Sequence, residues 1–178
     1  MSIDITTTKG FGTSSLTALV HGPPGSGKTY AARTCPGKTL VVSAEAGLLS
    51  LRDVDLDVAT ISAFSELEGV KDMLSEPGQP YEWVYLDSLS EVGEICLAEE
   101  MTKTAHGIKA YGEMMAKVME LVKDWRDLGV NVVMTAKQGR DVDPDGVAYM
   151  APEVPGKKLS TKLPYEFDLI VAAGTHTD

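Results

Sequence analysis

The segment Gly22-Pro23-Pro24-Gly25-Ser26-Gly27-Lys28-Thr29 constrains the fold of this chain more than any other. It matches G-x-x-x-x-G-K-[ST] and lies between an apolar, strand-like run, Leu16 to Val20, and a short helix-like stretch, Lys28 to Thr34, stopped by Pro36-Gly37. In that setting the glycines let successive backbone N–H groups curl around phosphates, the helix N-terminus adds positive potential, and Lys28 reaches the terminal phosphates as a point charge. Thr29 is expected to ligate magnesium through its hydroxyl. A nucleoside triphosphate with Mg2+ is therefore expected at Gly22, Pro23, Pro24, Gly25, Ser26, Gly27, Lys28, Thr29 and the adjoining Tyr30. A glycine turn that merely joins strand to helix leaves most of the eight-residue match unexplained. ATP is favoured over GTP, because the apolar strand ending at Asp87 has no D-x-x-G continuation and no N-K-x-D tetrad occurs.

Beyond this loop, short β-branched runs alternate with longer amphipathic stretches, which predicts an α/β fold with a mainly parallel sheet flanked by helices. Strands are expected at Leu16 to Val20, Thr39 to Ala44, Trp83 to Leu86, Val130 to Thr135 and Leu169 to Ala172, with a brief further run around Val58 to Ile61. That makes about five strands in the sheet. Ser65 and Glu68 form a capping-box pattern ahead of a helix bearing Leu67, Val70 and Leu74, which Pro77-Gly78 ends. Two more helices are expected at Glu91 to Thr104 and Tyr111 to Leu128; Met114, Met115, Val118, Leu121, Val122 and Trp125 form the sheet-facing side of the second. A chain of 178 residues with 43% hydrophobic content suits one core, so a single domain over residues 1–178 is expected. From Ala136 to Leu163 the pattern dissolves into Asp, Pro, Gly and Lys, which reads as a long functional or flexible loop.

The formal net charge of −10 repels phosphate backbones at long range, so a nucleic-acid partner requires a local basic strip. Cys35 and Cys96 stand apart with no His or Cys at metal-ligand spacing, which favours buried free thiols over zinc or a disulfide framework. Met1-Ser2-Ile3-Asp4 offers no basic start or apolar signal core, and no run of about eighteen apolar residues occurs, so a cytoplasmic protein without a membrane partner is expected. His21 reads as a satisfied polar residue at a strand end. Asp141, Asp143 and Asp145 begin like a calcium loop, but Pro152 stands where the twelfth-position glutamate belongs, leaving a turn built by Pro144 and Gly146.

Two carboxylates extend the chemistry. Asp87 closes the apolar strand Trp83-Val84-Tyr85-Leu86, where a carboxylate can hold a magnesium-bound water, while Ser88 or Ser90 is free to cap the next helix. Glu45 follows the strand Val41-Val42-Ser43-Ala44, where strand ends converge on a nucleotide, and is the candidate general base for water.

The P-loop, the strand closing on Ala44-Glu45, the strand closing on Asp87-Ser88, and Val132-Val133-Met134-Thr135 leading into Gln138 together resemble the RecA-like ATPase core over most of the chain. Within that group, Pro155-Gly156-Lys157-Lys158 ahead of Phe167-Asp168-Leu169 is most similar to the compact phage RecA-like nucleotide-binding proteins of single-strand annealing recombination. The resemblance implies a three-layer fold with strand order 2-3-4-1-5. It also implies water activation by Glu45, γ-phosphate sensing by Thr135 or Gln138, and a loop that meets single-stranded DNA. No separate N-terminal oligomerisation domain or polymerisation strand is evident, so the resemblance does not extend to filament formation.

The cations Lys137, Arg140, Lys157, Lys158 and Lys162 lie in or beside the long loop, interleaved with Asp141, Asp143, Asp145 and Glu153. They are candidates for DNA contact, with Tyr149 available to stack on a base, or for a charge supplied in trans to a neighbour's γ-phosphate, which requires a homo-oligomer. The leading expectation is an ATPase coupling nucleotide state to DNA binding in phage or bacterial recombination. The alternatives are a P-loop nucleotide or small-molecule kinase, a metal-dependent nuclease using acids such as Asp87, Asp141, Asp143 or Asp145, and a binding module that uses ATP as a switch.

Overall fold

The computed structural model describes residues 15–45 and 47–174; the readings at Met1 to Asp4 and at the chain end lie outside them. The strands are β1 (Thr17–Gly22), β2 (Thr39–Ser43), β3 (Asp57–Thr60), β4 (Trp83–Asp87), β5 (Asn131–Val142), β6 (Ala148–Glu153) and β7 (Leu169–Ala172). The helices are α1 (Glu66–Ser75), α2 (Leu89–Lys103), α3 (Gly107–Arg126) and α4 (Lys157–Lys162), with short 3-10 helices at Thr29–Thr34, Leu48–Leu51 and Leu163–Glu166.

The sheet runs β3-β2-β4-β5-β1-β7 with all neighbours parallel, and β6 joins β5 antiparallel. Setting aside β3 and β6, the order β2, β4, β5, β1, β7 is the expected 2-3-4-1-5. The sheet nonetheless holds seven strands rather than five. One addition, β3, is the brief run around Val58. The other, β6, comes from the segment read as a loop.

That segment is the main correction. β5 does not stop at Thr135 but continues to Val142, turns through Asp143-Pro144-Asp145-Gly146, and returns as β6, with Lys137 opposite Glu153 and Val142 opposite Ala148. Beyond Ala136 the side chains of β5 leave the core, so the apolar signal ends while the backbone ladder goes on. The turn matches the sequence reading: Gly146 adopts φ +84°, and Asp143 Oδ1 accepts from the backbone N–H groups of Asp145 (3.0 Å) and Val147 (2.8 Å).

One face of the sheet packs Leu19, Leu86 and Met134 against α1, α2 and α3, with Met114, Val118, Val122 and Trp125 of α3 fully buried as the helical spacing predicts. The other face, with Ala18, Val41, Tyr85 and Val133, is covered by Ala32 and Leu51 from two 3-10 turns, a thinner layer than the resemblance implies. The capping box ahead of α1 does not form. Ser65 is already helical (φ −63°, ψ −22°) and makes no side-chain cap, while Glu66 folds back to accept from the N–H groups of Ser62 (2.6 Å) and Ala63 (3.0 Å). Both cysteines are free thiols, Cys96 buried and Cys35 half-buried, and burial raises each to a pKa of about 11.

Candidate nucleotide site

At the end of β1 the chain turns through the glycine-rich loop, where Gly25 (φ +75°) and Gly27 (φ +84°) adopt a backbone conformation closed to other residues at low cost. Gly22 is required for a different reason. A Cβ there would stand 2.5 Å from Ser26 Oγ and 2.6 Å from the carbonyl oxygen of Ala173, so the loop and the residue after β7 both close on it. Lys28 Nζ donates to the carbonyls of Gly22 (2.8 Å) and Pro23 (3.0 Å), which holds the ammonium over the mouth of the loop. The buried Tyr85 hydroxyl donates to the carbonyl of Lys28 and pins the loop to β4 from beneath.

Asp87, at the end of β4, is buried and accepts two short bonds, from Thr29 Oγ1 to Oδ2 (2.6 Å) and from Thr135 Oγ1 to Oδ1 (2.6 Å). It does not cap α2. Ser88 does, its Oγ accepting from the N–H of Glu91 (3.3 Å). The same Ser88 hydroxyl donates to Glu45 Oε1 at 2.7 Å, and Ser43 Oγ donates to the Glu45 carbonyl, so backbone and carboxylate of Glu45 are both held. Thr29 and Asp87 bring two hard oxygen donors together at the loop, a set that fits a magnesium ion.

These elements enclose a cavity of about 660 Å³. Gly22, Pro24 to Tyr30, Glu45, Asp87 and Gln138 line it, so most of the residues picked out in the sequence share one space. Thr135 is fully buried behind it, held to Asp87, and of the two candidate phosphate sensors Gln138 is the one on the cavity wall. A family model described as an AAA domain matches residues 14–177.

The chain belongs to the AAA domain family. At that level the expectation of a nucleotide-binding P-loop ATPase domain is met, and the sheet order agrees with it. No curated protein matches the chain.

Sequence reasoning missed Ser50, Ser88 and Glu153 on the wall of the AAA domain's cavity, and Ser90 beside it. Ser90 Oγ accepts from the N–H of Lys137 (2.8 Å) and donates to the carbonyl of Glu153, joining both strands at the root of the β5–β6 hairpin. Ser88 and Ser90 were legible only as caps, because a serine after a strand is ordinarily one.

The five loop cations do not converge. Lys137 lines the nucleotide cavity and pairs with Glu91 (3.1 Å), which raises its pKa. Arg140 and Lys157 line a second cavity of about 490 Å³ under the hairpin, where Lys157 stands 3.4 Å from Asp141. Hydrogen bonding from the N–H of Val142, reinforced by Lys157, keeps the Asp141 carboxyl below its usual range. Lys158 and Lys162 are exposed and line neither cavity. Among the described residues no three His, Cys, Asp or Glu side chains gather as a metal site, so Asp141, Asp143 and Asp145 do not assemble with Asp87. His21 is not the satisfied residue expected: it is buried, its Nδ1 has no partner among the described residues, and burial, then Lys28, lowers its pKa. No helix among the described residues is long and apolar enough to cross a membrane.

Proposed function

We propose that this AAA domain is a magnesium-dependent ATPase whose nucleotide state governs binding of DNA, single-stranded by preference, in phage or bacterial recombination or repair. The observation that carries this reading is the shared wall: Lys137 and Glu153, at the root of the hairpin, line both the nucleotide cavity and the cavity beneath the hairpin. Whatever moves one cavity meets the other through those two residues.

The chain's own groups divide the chemistry. Loop N–H groups and Lys28 hold phosphates, Gln138 faces the terminal group, and Glu45, kept in place by Ser88, takes a proton from attacking water. Magnesium, when bound by Thr29 and Asp87, supplies neutralisation of phosphate charge. Arg140 on the hairpin and Lys157 at the start of α4 are the cations set to meet a phosphate backbone and Tyr149 the exposed ring for a base, while Lys158 and Lys162 stand exposed along α4. The resemblance to compact phage proteins of single-strand annealing supports recombination as the setting, and an Arg140 or Lys157 acting in trans would make the working form a homo-oligomer.

Hydrolysis of ATP by the wild type, Lys28→Ala and Glu45→Ala, with and without a synthetic single strand at low salt, tests the proposal. DNA that neither binds nor alters turnover of active protein removes its DNA half; a Glu45→Ala variant with normal turnover removes Glu45 as base. The kinase reading keeps one specific support, the second cavity beside the first, where an acceptor would sit. Transfer of phosphate to a nucleoside monophosphate would establish it.

A further inference from the structure

Tyr30 is the one aromatic side chain on the wall of the nucleotide cavity among the described residues. Phosphates are served by the loop, Lys28 and Thr29, but a nucleotide also carries a flat base. Such a base is held by a surface to stack on, by polar groups that read its edges, or by both. Tyr30 follows Thr29 directly and is 49% exposed. The Arg33 guanidinium lies 4.5 Å from its ring centroid, and Arg33 is in turn held by Asp53 at 3.3 Å. The ring is thus backed by an anchored cation and set in place before any ligand arrives, which lowers the ordering cost of binding.

Among the described residues, side chains able to read base edges are scarce on the cavity wall. Lys137, Gln138 and Glu153 belong to the hairpin root, and Glu45, Asp87 and Ser88 to the carboxylate cluster. That leaves Ser50, on the 3-10 turn that packs against Tyr30's own. A single hydroxyl both donates and accepts, so it fits any base edge. Stacking is equally tolerant, since every base has a π-face.

We infer that Tyr30, backed by Arg33, is the stacking platform for the nucleobase, and that the site selects for the presence of a base and not for its identity. Purine and pyrimidine triphosphates therefore bind alike, within about tenfold of one another, with purines tightest, so the sequence features that favour ATP over GTP correspond to no strong selection by this site. This rests on the nucleotide reading of the P-loop, and tripolyphosphate, which has the phosphates without the base, separates the two.

The test is calorimetric titration of the whole chain with ATP, GTP, CTP, UTP and tripolyphosphate in the presence of magnesium, for the wild type, Tyr30→Phe, Tyr30→Ala and Tyr30→Leu. Leu fills space without a flat ring and stands in if the Ala variant does not fold. The expected result is a loss of about tenfold in ATP affinity for Ala and Leu, wild-type affinity for Phe, and unchanged binding of tripolyphosphate in all four. Equal losses for ATP and tripolyphosphate would mean that Tyr30 shapes the loop instead, and no loss at all would remove it from the site. A hundredfold preference for ATP over the other triphosphates would show that base edges are read. Each of these overturns the inference while the P-loop reading stands. A wild type that binds neither ATP nor tripolyphosphate overturns both.

Discussion

The nucleotide cavity and the β5–β6 hairpin meet at Lys137 and Glu153, but they are held together differently. Around the cavity nearly every restraint is a side chain aimed at another: Thr29 and Thr135 on Asp87, Ser88 on Glu45, Lys28 on the carbonyls of its own loop. The hairpin is held by its backbone ladder, by an Asp143 turn and by one serine at its root, and it exposes Val142, Val147, Tyr149 and Met150. Phosphate chemistry fixes which residue stands at each position. A ladder fixes only the path of the chain, and many sequences satisfy it.

If that contrast is sound, substitutions at the cavity cost most. Glu45→Gln keeps the size of the side chain and removes the base, so hydrolysis should fall by about 10²- to 10⁴-fold while ATP affinity is retained. Ser88→Ala, which leaves the carboxylate but loosens it, should cost about tenfold in rate, and Ser88→Thr should restore most of it. Single-turnover hydrolysis beside equilibrium nucleotide binding reads both; a Glu45→Gln variant at wild-type rate would place the base elsewhere.

Glycines sharpen the contrast in terms of stability. Gly22→Ala drives a methyl into Ser26 and the Ala173 backbone and should destabilise the fold by about 1–3 kcal/mol. Gly146→Ala, at the hairpin turn, meets nothing within 4 Å and suffers only its positive φ, about 1 kcal/mol, largely within the hairpin. Denaturant melts of the two compare them directly, and equal losses would erase the distinction.

These glycines also mark how far the sequence could be read. The loop glycines, Lys28, Thr29 and Asp87 were legible because one ligand chemistry dictates both their identity and their spacing. The strand order followed from the resemblance. The hairpin was not legible, since its strands are exposed and carry no sustained alternation of apolar and polar residues, and α4, at six residues, is too short to show a helical period. Its one signal is Asp145-Gly146 between Val142 and Val147, which marks the turn but not the strands on either side of it. The Ser88 and Ser90 contacts arise from residues 43 and 63 positions away, and no local pattern encodes them.

Smaller effects bear on the seam between the regions. Ser90→Ala removes the acceptor for the Lys137 N–H and the donor to Glu153, at a cost of about 1 kcal/mol, and hydrogen exchange should quicken in β6 before β1. Uniform acceleration would show that the serine supports the whole fold. The slightest shift concerns His21. Burial disfavours its charged form, so its folded pKa lies below the 6.5 of a free imidazole and the unfolded state binds more protons in the interval between them. Its contribution is present in full above pH 6.5 and declines as pH falls through that value toward the folded pKa. Melts of wild type and His21→Gln should therefore converge on acidification, and parallel curves would count against a buried neutral imidazole.

Ser90 has a mechanical consequence. A two-stranded arm whose strands are both tied at the root to one oxygen atom passes part of any pull on its solvent end to that atom. Load applied near Tyr149 would reach Ser90, two residues along the chain from the hydroxyl that steadies Glu45.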